Sequence, residues 1–254
     1  MNKGTLLLAI GIIGAAALAA CGGGKAAATP GHEKKVGTAM LESAAEALQD
    51  LSPVRGIDYY LDAFHVMRDD PSYMMEAHHY CRDVTEELTQ CVLFDGLGKN
   101  AHLVGVEYIV SERLFESLPP DEKKSWHPHN YEILSGQLML PGVPEAAEKA
   151  ALKKKMNSYG KTWHFWDTGH WDEPRGDALP IGAPMLAWSF NRDGEIPEAL
   201  LEQRDRRLDV RTADRRRALA DLSAIARPQM GVDLLRSKLH GHGAPPGVVD
   251  KAGR

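Results

Sequence analysis

The spacing of apolar positions changes several times along the chain, and each change predicts a different kind of element. A continuous apolar run comes first, from Thr5 to Ala17. Between Thr38 and Leu51 apolar residues recur at helical spacing, with Met40, Leu41, Ala44, Ala45 and Leu48 on one side and Glu42 and Glu46 on the other. That spacing predicts a helix, which Pro53 stops. Ile57 to Met67 reads as a second helix, with Tyr60, Leu61, Phe64 and Met67 along one side and Asp69-Asp70-Pro71 closing it. From Tyr73 onward the pattern turns to strands. Residues 91–94 and 102–110 flank the turn-rich Asp95-Gly96-Leu97-Gly98-Lys99-Asn100 and predict a β-hairpin.

Ser111 is placed to cap a short helix through Leu118, and Pro120 opens another over Asp121 to Trp126. Tyr131–Leu134 and Gln137–Leu140 bracket Ser135-Gly136 as a second hairpin. Pro144 starts a helix that is basic at its C-terminal end, as the helix dipole favours, and that runs toward Gly160. Residues 161–167 and 185–190 read as further strands. No regular βαβ alternation occurs, so the predicted class is α+β: a mostly antiparallel sheet of hairpins with flanking helices and a helical C-terminal extension. The expected organisation is a signal at 1–20, a flexible tether at 21–37, an α+β body at 38–190, a charged helical extension at 191–239 and a disordered tail at 240–254.

The first apolar run decides the expected location. It follows Lys3 and ends in Leu18-Ala19-Ala20-Cys21-Gly22, a context similar to the lipobox of bacterial lipoproteins. That similarity implies cleavage before Cys21 and acylation there, palmitate being a typical chain, with anchoring by two or three acyl chains. The expected location is the periplasmic side of the cell envelope, with sorting to the outer membrane favoured over the inner because Gly22 follows Cys21. Charge adds one exclusion. Residues 21–190 carry 16 basic and 25 acidic side chains, and residues 191–254 carry 13 and 10. An acidic body with a tail of mixed sign excludes nucleic acid as a partner.

Candidate chemistry lies in the histidines, eight of eleven of which fall between His65 and His170. Two clusters stand out, Glu76-Ala77-His78-His79-Tyr80-Cys81 and Trp126-His127-Pro128-His129-Asn130-Tyr131-Glu132. On a strand His127 and His129 share a face, so both imidazoles could reach one ion. The same parity joins Glu76, His78 and Tyr80, which makes His78 the candidate and turns His79 away. The candidate metal site is therefore His78, His127 and His129, with His65, Glu107 and His164 as further candidates and zinc, iron or copper as the ion it would take. The spacing to Glu132 fails the cupin pattern, since three residues along a strand reverse the face. Each histidine read singly is a core residue with satisfied nitrogens. Cys81 as a nucleophile beside His78 or His79 has only sequence adjacency behind it. Gly160-Lys161-Thr162 lacks the upstream glycine of a phosphate-binding loop. Cys81 and Cys91 form either a bridge, which an oxidising compartment allows, or two buried thiols, which are favoured.

Several of these runs together resemble the plant and microbial oil body-associated protein family: Ala63-Phe64-His65, residues 76–81, Gln90-Cys91, residues 105–109, Leu118-Pro119, residues 126–129, Tyr131-Glu132 and residues 159–164. The resemblance covers about residues 57 to 190. It implies association with lipid droplets, as in plant members, and brings no catalytic residues with it. It also implies thiols at Cys81 and Cys91, positions shared with intracellular plant proteins. The leading expectation is a lipid-anchored envelope protein working at a lipid surface, without established catalysis. The alternative is a metal-dependent enzyme or metal-binding protein. A third reading makes the leucines of the arginine-rich extension a docking face for another envelope protein.

Overall fold

The computed structural model describes residues 30–169, 171–172 and 176–251, so the signal, Cys21 and His170 lie outside the described residues. The first predicted helix is present as α1, Val36–Leu48, which buries none of its residues. A single turn, α2 (Ser52–Arg55), leads into the sheet. The predicted second helix is instead strand β1, Tyr59–Met67. Every residue of β1 from Leu61 to Met67 is buried, on both faces. A strand covered on both sides loses the two-residue alternation that distinguishes it from a helix.

Strands β2 (Met74–Thr85), β3 (Leu88–Phe94) and β4 (Leu103–Val110) follow as antiparallel neighbours, and the β3–β4 hairpin matches the turn signal at residues 95–100. Ser111 caps α3 (Glu112–Glu116) by accepting a hydrogen bond from the Leu114 amide, and Pro120 opens α4 (Pro120–Lys123). Next come β5 (His127–Pro128) and α5 (Asn130–Ser135). The expected second hairpin is thus a buried helical turn. Gly136 ends it with a left-handed φ of +81°, its amide bonded to the Ile133 carbonyl. A side chain there would also meet backbone atoms of Thr212 and Arg216 within 3 Å. Helix-stop glycine and hairpin-turn glycine look alike in sequence, so the Ser135-Gly136 pair fits either element.

The remaining elements are α6 (Glu145–Lys155), β6 (Tyr159–His164), β7 (Met185–Trp188), α7 (Glu198–Leu208), α8 (Thr212–Ala218), a 3-10 turn at Ala220–Ile225 and α9 (Arg236–Leu239). All strand pairings are antiparallel, in the order β4-β3-β2-β1-β7-β6-β5, and β4 pairs again with β6. That last pairing closes β1–β4, β6 and β7 into a six-stranded barrel. The α+β class and antiparallel pairing are as predicted, but the sheet is a closed barrel rather than open hairpins.

The C-terminal segments cover the barrel. Leu200, Leu219, Leu222, Val232, Leu235, Leu239 and Val248 join the same buried cluster as Leu61, Phe64 and Trp188. Arg204 of α7 is fully buried and pairs with Asp62 of β1 at 3.3 Å. Residues 240–251, expected to be disordered, are tied down by backbone bonds: His242 donates to the Asp193 carbonyl, Asp193 to that of Gly243 and Lys251 to that of Gln229. Gly and Pro in this segment serve turns rather than disorder. Among the described residues no helix is long and apolar enough to cross a membrane.

Cys81 and Cys91 face each other across β2 and β3 with Cα atoms 4.1 Å apart and form a disulfide. The expectation of two free thiols is corrected by register: these are directly opposed residues, close enough to bridge.

Candidate metal centre

Alternation along the strands selects which side chains enter the barrel. Directly opposed residues of antiparallel strands share a face. The pairings Leu61 with His79, His65 with Met75, Cys91 with Glu107, Glu107 with Thr162 and Gly105 with His164 therefore place His65, His79, Glu107, Thr162 and His164 on one surface. His127 joins through its pairing with Gly160. Pro128 limits β5 to two residues, and the chain turns at His129 into α5. On that helix Glu132 lies three residues after His129, which brings it back to the same side.

The result is a buried group of five histidines and two glutamates, with His65, His79, His127, His129, His164, Glu107 and Glu132 all 3 % exposed or less. Glu107 stands in the middle. Its Oε2 lies 2.7 Å from His79 Nε2 and 3.8 Å from His65 Nε2, and its Oε1 lies 3.4 Å from His129 Nε2 and 3.6 Å from His127 Nε2. Glu132 Oε2 is 3.8 Å from His129 Nε2.

The outer nitrogens fix which face each ring presents. His79 Nδ1 donates to the Ala77 carbonyl at 3.0 Å, so its Nε2 is the lone-pair nitrogen unless the ring is charged. Ser158 donates to the Lys155 carbonyl, leaving its oxygen to accept from His129 Nδ1 at 2.8 Å. His129 therefore also offers a lone pair on Nε2. His65 Nδ1 meets His164 Nε2 at 2.9 Å. Outer hydrogen bonds that aim imidazole lone pairs at a common point are the usual supporting shell of a metal-binding histidine. A carboxylate 2.7 Å from such a lone pair is held there by a proton or a cation.

The packing leaves room at this point. A Cβ on Gly160 would lie 2.2 Å from Glu107 Oε1 and 2.6 Å from Nε2 of both His127 and His129. Three polar atoms around the group, His127 Nδ1, Thr162 Oγ1 and His164 Nδ1, are buried without a hydrogen-bond partner. Burial pushes the His65 imidazole well below its usual range, and it pushes His127 and His164 down to about 3. Burial alone would raise Glu107, but His79, His129 and His127 outweigh it and hold the carboxyl well below normal. Glu132 is pushed well above normal by burial and then by Glu107. Imidazole nitrogens around an ionised carboxylate are the donor set a transition metal requires.

His127 and His129 therefore come together as expected, and His65, Glu107 and His164 join them. His78 does not. It lies on the outer face of the barrel, where Tyr60 donates to Asp62 and accepts from His78 Nδ1 at 2.7 Å. Asp62, Glu76 and His78 have donor atoms within 4.8 Å of one another. Arg204 and Arg207 already pair with these carboxylates, however, and would repel a cation. The residue that enters the barrel is His79. Its face carries Met75, Ala77 and Cys81, while Glu76, Tyr80 and Arg82 share the face of His78. The apolar side of β2 was the signal for the inner one. Strand parity would turn Glu132 away from His129, and the helix at α5 brings it back. Cys81 is in the disulfide and is no nucleophile.

Residues 51–223 match the family described as "Protein of unknown function (DUF1264)". The chain is 41 % identical over 207 residues to oil body-associated protein 1B of Arabidopsis thaliana, covering 81 % of this chain and 82 % of that one. It is 40 % identical over 203 residues to oil body-associated protein 1A of Zea mays, covering 80 % and 82 %. It is 40 % identical over 185 residues to oil body-associated protein 2A of Arabidopsis thaliana, covering 72 % and 73 %. No solved structure matches. The matched segment contains every strand of the barrel and every donor of the centre, and the chain belongs to the oil body-associated protein family.

Proposed function

We propose that this protein binds a divalent transition metal inside its barrel. The observation that carries the reading is the convergence of four imidazole Nε2 atoms on Glu107, all within 3.8 Å of its oxygens. Imidazole nitrogens with one or two carboxylates suit zinc or iron, with copper as a further option. An ion so deeply held contributes to folding as well as to any chemistry it performs. Metal analysis of the purified protein, before and after reconstitution, is the test. About one equivalent or more per chain, lost when His127 and His129 are changed to alanine, is the expected result. Less than a tenth of an equivalent of any transition metal after reconstitution would sink the reading.

A second reading concerns where this barrel works, and it is supported by the Leu18-Ala19-Ala20-Cys21 run and the names of the relatives. It places the protein at a lipid surface, attached through acylated Cys21 on a tether of about fifteen residues, which reaches at most roughly 50 Å. The cell envelope is the compartment, on its periplasmic side. Replacing Cys21 by serine should release the protein from membranes. Retention after a salt wash would rule out acylation as the anchor.

A further inference from the structure

We infer that the barrel interior is built for two metal ions bridged by Glu107, not for one. The inference deepens the metal-binding reading and rests on it. A single transition ion accepts four to six donors. Six side chains offering seven donor atoms converge here, two of those atoms being the oxygens of Glu107, and they do so in two groups. On one side of Glu107, Oε2 faces His79 and His65. On the other, Oε1 faces His129 and His127, and Glu132 is found beyond His129. The donor atoms of His127, His129 and Glu132 all lie within 4.8 Å of one another, and those of His65, Glu107 and His127 form a second such set that joins the two sides.

A carboxylate whose oxygens face different pairs of imidazoles has the arrangement of a bridging ligand. The ions of two-metal centres sit about 3.5–4 Å apart, a span one carboxylate covers. The first ion would take His65, His79 and Glu107 Oε2, and the second His127, His129, Glu132 and Glu107 Oε1. His164, bonded to His65 Nδ1, is then a positioning residue, as Ser158 is for His129. Two dications against two carboxylates leave the centre positive, so a hydroxide is the expected further ligand. Thr162 Oγ1, buried without a partner on Glu107's face, is a hydroxyl placed to bond it.

The test uses the full-length protein, unfolded with a chelator to strip any metal and refolded in the presence of Mn²⁺. Two equivalents per chain and the electron paramagnetic resonance signature of an exchange-coupled pair are expected. Glu132→Gln, close to isosteric, should fold, retain one equivalent and give the six-line signal of an isolated ion. His79→Asn, on the other side of Glu107, should do the same, which keeps the test open if one variant fails to fold. A wild type that saturates at one equivalent with an uncoupled signal overturns the two-ion inference and leaves the metal-binding reading standing. A wild type that takes up no Mn²⁺, Zn²⁺ or Fe²⁺ overturns both.

Discussion

Gly160→Ala places one methyl group where the metal donors meet. Its carbon would lie 2.2 Å from Glu107 Oε1 and 2.6 Å from two histidine nitrogens. Ordinary contact begins near 3.4 Å, so the carboxylate must retreat by about 1.2 Å and each ring by about 0.8 Å. Metal-ligand distances tolerate only about 0.2 Å, so three donors are displaced several-fold too far at once. Overpacking of this kind costs a fold about 1–3 kcal/mol, which a barrel of this size survives. Affinity should fall at least about a hundredfold, since even supporting-shell changes cost tenfold to a hundredfold. At a metal concentration of 100 times the wild-type Kd, binding stabilises the wild type by about 2.7 kcal/mol and the variant by about 0.4 kcal/mol. Thermal melts with and without metal, together with competition against a chromophoric chelator, read both numbers. A cooperatively folded Gly160→Ala protein with wild-type affinity would refute the siting of the metal.

Three further outcomes follow from the surrounding structure. Replacing both Cys81 and Cys91 by serine removes a cross-link between residues ten apart, worth about 2.7 kcal/mol of chain entropy, and should lower Tm by about 5–10 °C; an unchanged melt contradicts it. Arg204→Met leaves buried Asp62 with Arg207 as its one guanidinium partner, beside Tyr60 and His78, and should cost about 3–5 kcal/mol in urea unfolding, much of it recovered in the Asp62→Leu, Arg204→Met double variant. Burial, then Asp62, pushes the Glu76 carboxyl up to about 8 despite its pairing with Arg207. A raised folded pKa means that Glu76's contribution is complete below about pH 4.5 and is lost as pH rises through 8. Glu76→Gln should thus become the more stable form above about pH 8, and urea midpoints at pH 5, 7 and 9 that keep the same order would exclude this.

The parts of the molecule legible in the sequence are those whose faces differ. The β3–β4 hairpin has a turn signal, and α6 opens after Pro144 and ends in lysines, so both are found. Strand β1 is apolar on both faces, and no periodicity separates it from a helix. Closure of the barrel depends on β4 meeting β6 across about fifty residues, which no local pattern records. The same holds for the centre. His127 and His129 were legible because they are neighbours in sequence, whereas the choice between His78 and His79 needed the polarity of the whole strand. Glu132 needed the helix that follows Pro128, a segment where strand parity does not apply. The disulfide needed register, which spacing alone leaves open.

Closure of the barrel also bears on supply. With β4 hydrogen-bonded to β6 and no donor side chain more than 4 % exposed, a metal ion would gain its place only while the packing around the centre is open. Loading would then be an event in the history of each chain, tied to folding, and loss under a chelator should run at the pace of unfolding rather than diffusion. The identity of the ion would be decided by whatever the surroundings offer when the barrel shuts. Were the chain exported before it folds, that would be the far side of the membrane. The compartment, more than the affinity of the site, would choose the metal.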